Sequence, residues 1–166
     1  NHAIPVEAIA EKLFFGQAKP SDSPLAFNTF GHRGNARFAY DPDKARELLT
    51  SAGLKDTNGD GIVEYEGENV SLTLLTPDGQ FSNDVRIAEV TANALKAIGL
   101  DVTIRKIDKG SFWDALRVPV ADAGWDLGMF GFNPSNAAGS YHLDSLYMSN
   151  PDNEGRPAVW NIARYS

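Results

Sequence analysis

The feature that most limits what this chain can fold into is an alternation of hydrophobic period between residues 71 and 132. Residues 71–76 read as strand, 83–98 as helix, 101–107 as strand, 111–118 as helix and 125–132 as strand. Strands separated by whole helices need crossover connections, which lay neighbouring strands parallel and put helices over the sheet. The sequence therefore predicts an α/β fold: a mixed, largely parallel sheet with helices on both faces. Along the longer helix, Ile87, Val90, Thr91, Ala94, Leu95 and Ile98 share one side, and Gly99 ends it just before the next strand. Around Trp125, Leu127, Met129 and Phe130 apolar residues point both ways, as in a strand covered on both faces, so this strand is expected at the centre of the sheet.

Upstream, Ile4, Ala8, Ile9, Lys12, Leu13 and Phe15 form the stripe of an amphipathic helix over residues 5–15 that Gly16 ends. Residues 17–38 carry Pro20, Pro24, Gly31 and Gly34 without periodicity and read as a long irregular segment. A second helix is announced by Asp41 as cap, Pro42 at the first helical position, Ala45, Leu48, Leu49 and Ala52 on one side, and Gly53 at the left-handed terminus. With 166 residues the chain is expected to be a single α/β domain over 1–166. After Asn133 it is loop-rich, and its final residues read as cut rather than finished, as in an excised piece of something longer.

Charge and composition narrow the function. Fifteen Lys and Arg against 22 Asp and Glu leave a net charge of −7, which repels phosphate backbones and argues against nucleic acid. The absence of cysteine removes disulfides, thiolate metal sites and thiol nucleophiles. Residues 41–68 hold eight acids against three bases, and within them Asp56, Asn58 and Asp60, with Gly61 sixth, repeat the first half of a calcium loop. Gly67 stands where the bidentate Glu should be, so an Asx-rich turn leading into a hairpin competes with a bound calcium. Ser140, His142 and Asp144 contain the residue types of a hydrolase but lack a nucleophile elbow, and their closeness in sequence argues for a loop. His2, His32 and His142 have no metal-ligand spacing.

Several motifs in a fixed order carry a resemblance. They are Ala3-Ile4 through Gly16-Gln17-Ala18, the Tyr40-Asp41-Pro42-Asp43-Lys44-Ala45 helix with Ala52-Gly53-Leu54, and the turn from Asp56 to Glu64. Leu95-Lys96-Ala97-Ile98-Gly99-Leu100-Asp101-Val102, Phe112, and Trp125-Asp126-Leu127 running into Gly131-Phe132 complete the set. Together they resemble the peptide, dipeptide and nickel (family 5) class of solute-binding proteins that serve ABC importers. The resemblance implies one lobe, the second, of a two-lobed periplasmic-binding-protein type II architecture. It also implies a binding protein and not an enzyme, an extracytoplasmic location in the periplasm or as a cell-surface lipoprotein, an ABC permease as partner of the longer protein, a monomer, and no required cofactor.

Two departures bear on the ligand. Ser135, flanked by Asn133 and Asn136, stands where peptide-binding relatives carry an aspartate for the peptide's amino terminus, and Lys109 stands where a tryptophan is common. In open α/β sheets ligands bind beyond the carboxyl ends of strands, and the loops there are residues 77–83, 108–111 and 133–137. The expected ligand-binding residues are Lys109, Phe132, Asn133, Ser135 and Asn136. An oligopeptide is the leading ligand class, an oligosaccharide or other polar solute comes second, and a calcium-stabilised structural module is the rival from outside the receptor class.

Overall fold

The computed structural model describes residues 1–34, 37–118, 122–131, 139, 140, 143 and 146. They form two compact units, the first built from Asn1–Pro20, Phe38–Asp108 and Trp125–Phe130, the second from the described residues within Ser21–Arg37, Lys109–Gly124 and Gly131–Ser166.

In the first unit the order is α1 (Val6–Phe14), α2 (Pro42–Ser51), β1 (Glu64–Tyr65), β2 (Glu68–Asn69), β3 (Ser71–Asp78), α3 (Asp84–Lys96) and β4 (Asp101–Asp108), and the short β5 (Leu127–Gly128) returns to the sheet. The expected parallel pairing is present: β3 pairs with β4 from Ser71↔Asp101 to Asp78↔Asp108, and β5 joins the other edge of β3. Among the described residues the sheet order is β4-β3-β5, which sets β3 between two parallel partners and the strand after Trp125 beside it.

That strand is also shorter than the apolar run suggests. The Asp126 carboxylate accepts from the Thr73 N–H at 2.7 Å, taking the place a carbonyl of a longer strand would have, so pairing begins only at Leu127. The Asp126 N–H in turn donates to Thr73 O at 2.9 Å.

Helix α3 packs on β3 and β4. Its most buried line is Asp84, Ala88 and Ala92, while Ile87, Val90 and Leu95 are only half-buried. Alanines at this line let the helix approach closely, and Ala88 and Ala92 share a core with Leu74 and Val102. A second cluster joins Ala3, Ala45 and Ile98, bringing the N-terminal segment, α2 and the end of α3 together. Helix α2 begins as its sequence predicts: the Asp41 carboxylate accepts from Lys44 N at 2.9 Å, and Pro42 opens the helix. Phe15, assigned to the stripe of α1, instead sits past its end in the left-handed region and is exposed.

In the second unit, α4 (Lys109–Arg117) buries Phe112 and Leu116 completely, and Phe112 meets Trp113 edge-on at 5.5 Å. In the irregular segment before α2, His32 Nδ1 donates to Leu25 O at 2.9 Å, closing a loop over the buried Leu25.

Candidate solute-binding rim

The register of β3 and β4 fixes what stands at the carboxyl end of the sheet. Both strands have eight residues and end level, so Asp78 and Asp108 are direct partners and bring two carboxylates to the same row. Both are exposed. Neither was among the expected binding residues, because the strands read from the sequence stop at residues 76 and 107, short of both aspartates.

The loop after β3 is held in place from several sides. Gly79 and Asn83 both take positive φ, and Asn83 is a residue type that tolerates this conformation. Asn83 Nδ2 donates to Leu13 O at 3.0 Å, tying the loop to the end of α1. The buried Asp84 carboxylate accepts from Phe81 N at 2.6 Å. Within this tied loop, Phe81 leaves its ring exposed, while the buried Gln80 Oε1 has no hydrogen-bond partner among the described residues.

Of the residues expected to bind solute, Lys109 opens α4, next in the chain after Asp108, and is exposed. Phe132, Asn133, Ser135 and Asn136 lie outside the described residues. So do His142 and Asp144 of the hydrolase reading, whereas Ser140 is exposed.

The structure does bring Asp56, Asn58 and Asp60 together, in a turn that closes on its own backbone. Asp56 accepts from Gly59 N and Gly61 N at 2.6 and 2.9 Å, Asn58 Oδ1 from Asp60 N at 2.8 Å, and Asp60 Oδ1 from Ile62 N at 2.8 Å. Asp60 Oδ2 also accepts from Asn69 Nδ2 at 2.8 Å, linking the turn to β2. That bond, the Ile62 N–H and Asn58 hold the Asp60 carboxyl below its ordinary pKa. Glu64, buried at the start of β1, accepts from both N and Oγ1 of Thr57 and anchors the turn. Among the described residues no three His, Cys, Asp or Glu side chains gather into a group that could hold a metal ion. No helix among them is long and apolar enough to cross a membrane.

Comparison with known proteins adds the wider context. Residues 1–154 match the family described as bacterial extracellular solute-binding proteins, family 5 Middle. The oligopeptide-binding protein AppA of Bacillus subtilis (strain 168) is 32% identical over 165 residues, 95% of this chain and 28% of that protein. The structure of AppA from Bacillus subtilis in complex with a nonapeptide superposes with a TM-score of 0.77 at 26% identity, over 99% of this chain and 31% of that one. A mannohexaose-bound periplasmic oligopeptide-binding protein from Thermotoga maritima shares the fold, with a TM-score of 0.78 at 21% identity over 99% of this chain and 32% of that one. The chain thus spans less than a third of the length of these relatives.

Proposed function

The chain belongs to the bacterial extracellular solute-binding proteins of family 5, and from that premise we propose that it supplies one side of the solute site of an ABC importer's receptor, with an oligopeptide as the leading ligand. The observation that carries this reading is the family match across residues 1–154. The carboxyl-end rim supports it, because β3 and β4 end level and the loop after β3 is held rigidly by Asn83 and Asp84. The role is binding, without catalysis, in a monomer outside the cytoplasm that hands its solute to a permease. One lobe of a two-lobed receptor buries only half the ligand, so the remaining chain is needed for affinity. Calcium, if the turn at Asp56, Asn58 and Asp60 takes it up, serves stability and not solute binding.

Within this reading Lys109, Phe132, Asn133, Ser135 and Asn136 line the solute. Ser135 offers a ligand's amino terminus a hydroxyl acceptor without the opposite charge that a carboxylate would bring. The receptor then tolerates blocked amino ends, and Lys109 favours ligands with a carboxylate. The test uses the protein expressed from its full reading frame and compares free and N-acetylated peptides. Ser135→Asp is expected to raise affinity for free-amine peptides alone, and Lys109→Ala to weaken carboxylate ligands more than amides. If the unmodified receptor binds free-amine peptides and loses them on acetylation, an acid other than residue 135 does the work, and Asp78 and Asp108 are the acids to mutate. An oligosaccharide is the second reading: the amide and hydroxyl groups at 133–136 suit sugar hydroxyls, and the Thermotoga neighbour is a mannohexaose complex.

A further inference from the structure

At the amino ends of β3 and β4, the opposite end of the sheet from the rim, α2, the Asx turn and the end of α3 enclose a cleft of about 430 Å³. Its position follows from the backbone: Val63 N donates to Gly99 O at 2.8 Å and Asp101 N to Val70 O at 3.1 Å, so the hairpin is stitched to the start of β4. The floor is apolar, with Leu49, Leu54, Val63 and Ile98, the last two buried. This volume is that of a small-molecule site.

The rim of the cleft is basic in a chain whose net charge is −7. It holds Arg46, Lys55 and Lys96 against one acid, Asp56. Two of these four are already committed. Both Asp56 oxygens accept from the turn's backbone, and Arg46 pairs with Asp43 and donates to Ala97 O at 2.7 Å. The second Arg46 contact matters for an incoming anion, because it covers a carbonyl at the negative end of α3 that would otherwise repel it. Lys55 and Lys96 remain, exposed and with no ion pair or side-chain hydrogen bond for either ammonium among the described residues. The dipole of α3 accounts for a lysine at position 96, but not for one at position 55.

We propose that this cleft binds a small amphipathic monocarboxylate, its apolar chain on Leu49, Leu54, Val63 and Ile98 and its carboxylate between Lys55 and Lys96. A bare inorganic anion leaves the floor wet, and a dianion meets Asp56 and the field of the whole chain. The chemistry is shared by a free fatty carboxylate and by the carboxyl terminus of an apolar peptide.

The test is amide chemical-shift titration of the protein expressed from its full reading frame with octanoate, and with octanol and octylammonium as neutral and cationic counterparts. Acetyl-Leu-Leu as free acid and as amide forms the peptide arm. Octanoate is expected to shift the amides of Thr50, Leu54, Val63 and Gly99 saturably. The double variant Lys55→Gln/Lys96→Gln should weaken it about tenfold or more, and Lys55→Arg/Lys96→Arg should retain it. Tighter binding by octanoate than by the peptide acid assigns the site to free carboxylates, and the reverse order assigns it to peptide termini. Equal shifts from all three octyl probes, no saturable shift from either acid, or unchanged affinity in the glutamine variant would overturn the proposal. These amides lie at the far end of the sheet from the solute rim, so either site can fail without the other.

Discussion

Gly53 and Gly99 form a natural controlled pair, and replacing each with alanine isolates the cost of one close contact. Both follow helix ends and hold φ of +91° and +93°. An alanine at either place carries the left-handed penalty, about 1–2 kcal/mol, and narrows the unfolded ensemble to the same extent. They differ in space. A Cβ on Gly53 meets nothing within 4 Å, whereas on Gly99 it lies 3.0 Å from Val63 Cγ1 and 3.4 Å from Gly61 O. Val63 is buried, and its N–H is bonded to Gly99 O at 2.8 Å, so the hairpin cannot retreat without losing that bond. Overpacking of this kind costs about 1–3 kcal/mol. Gly99→Ala should therefore destabilise by about 2–5 kcal/mol and Gly53→Ala by about 1–2. At roughly 2–4 °C per kcal/mol for a chain of this size, the two melting temperatures should differ by at least about 2 °C. Calorimetry on both variants decides it, and equal melting temperatures would refute the claim that the hairpin presses on the α3–β4 junction.

Other perturbations test separate parts of the fold. Leu75→Ala, at a fully buried position of the central strand, should cost about 2–5 kcal/mol in urea unfolding with an unchanged slope; a loss under about 1 kcal/mol would mean that the site collapses or is not core. Asp126→Ala should remove the acceptor of the Thr73 N–H and speed hydrogen exchange at that amide, while Leu75 exchanges as before. The Asp60 carboxyl titrates below its ordinary value when folded, so its contribution is present above the unfolded pKa near 3.9 and is lost as pH falls through the lower folded value. The melting temperature of the wild-type chain relative to Asp60→Asn should accordingly be higher at neutral pH than at about pH 3. The self-closed turn is expected to melt alike with and without excess chelator; a lower melting temperature on chelation would instead assign a cation to Asp56, Asn58 and Asp60.

How far the sequence alone reveals the fold follows from the range of the interactions. The caps and periods are local, so Asp41, Pro42 and Gly53 mark α2, and the alternation over residues 71–108 marks β3, α3 and β4, from the order of residues alone. The shortness of β5 has a tertiary cause. Nothing in the apolar run after Trp125 announces that the Asp126 side chain bonds the main chain 53 residues earlier. The burial of Ala88 and Ala92 escapes a reading by periodicity because small side chains give a weak hydrophobic signal, although they pack most closely on the sheet. Asp78 and Asp108 become neighbours only through the strand register. The strand-end rule reaches Lys109, Asn133, Ser135 and Asn136 as loop residues, and the role given to each of them rests on the family resemblance.

The central claim, a solute receptor whose site includes this chain, is tested most directly by thermal unfolding of the protein expressed from its full reading frame against oligopeptides, oligosaccharides and metal chelates. A ligand that binds only the folded form adds about 2.7 kcal/mol at 100 times its dissociation constant. The account predicts a concentration-dependent rise in melting temperature with oligopeptides that is blunted when Lys109 and Ser135 are both changed. A melting temperature indifferent to every solute would contradict it.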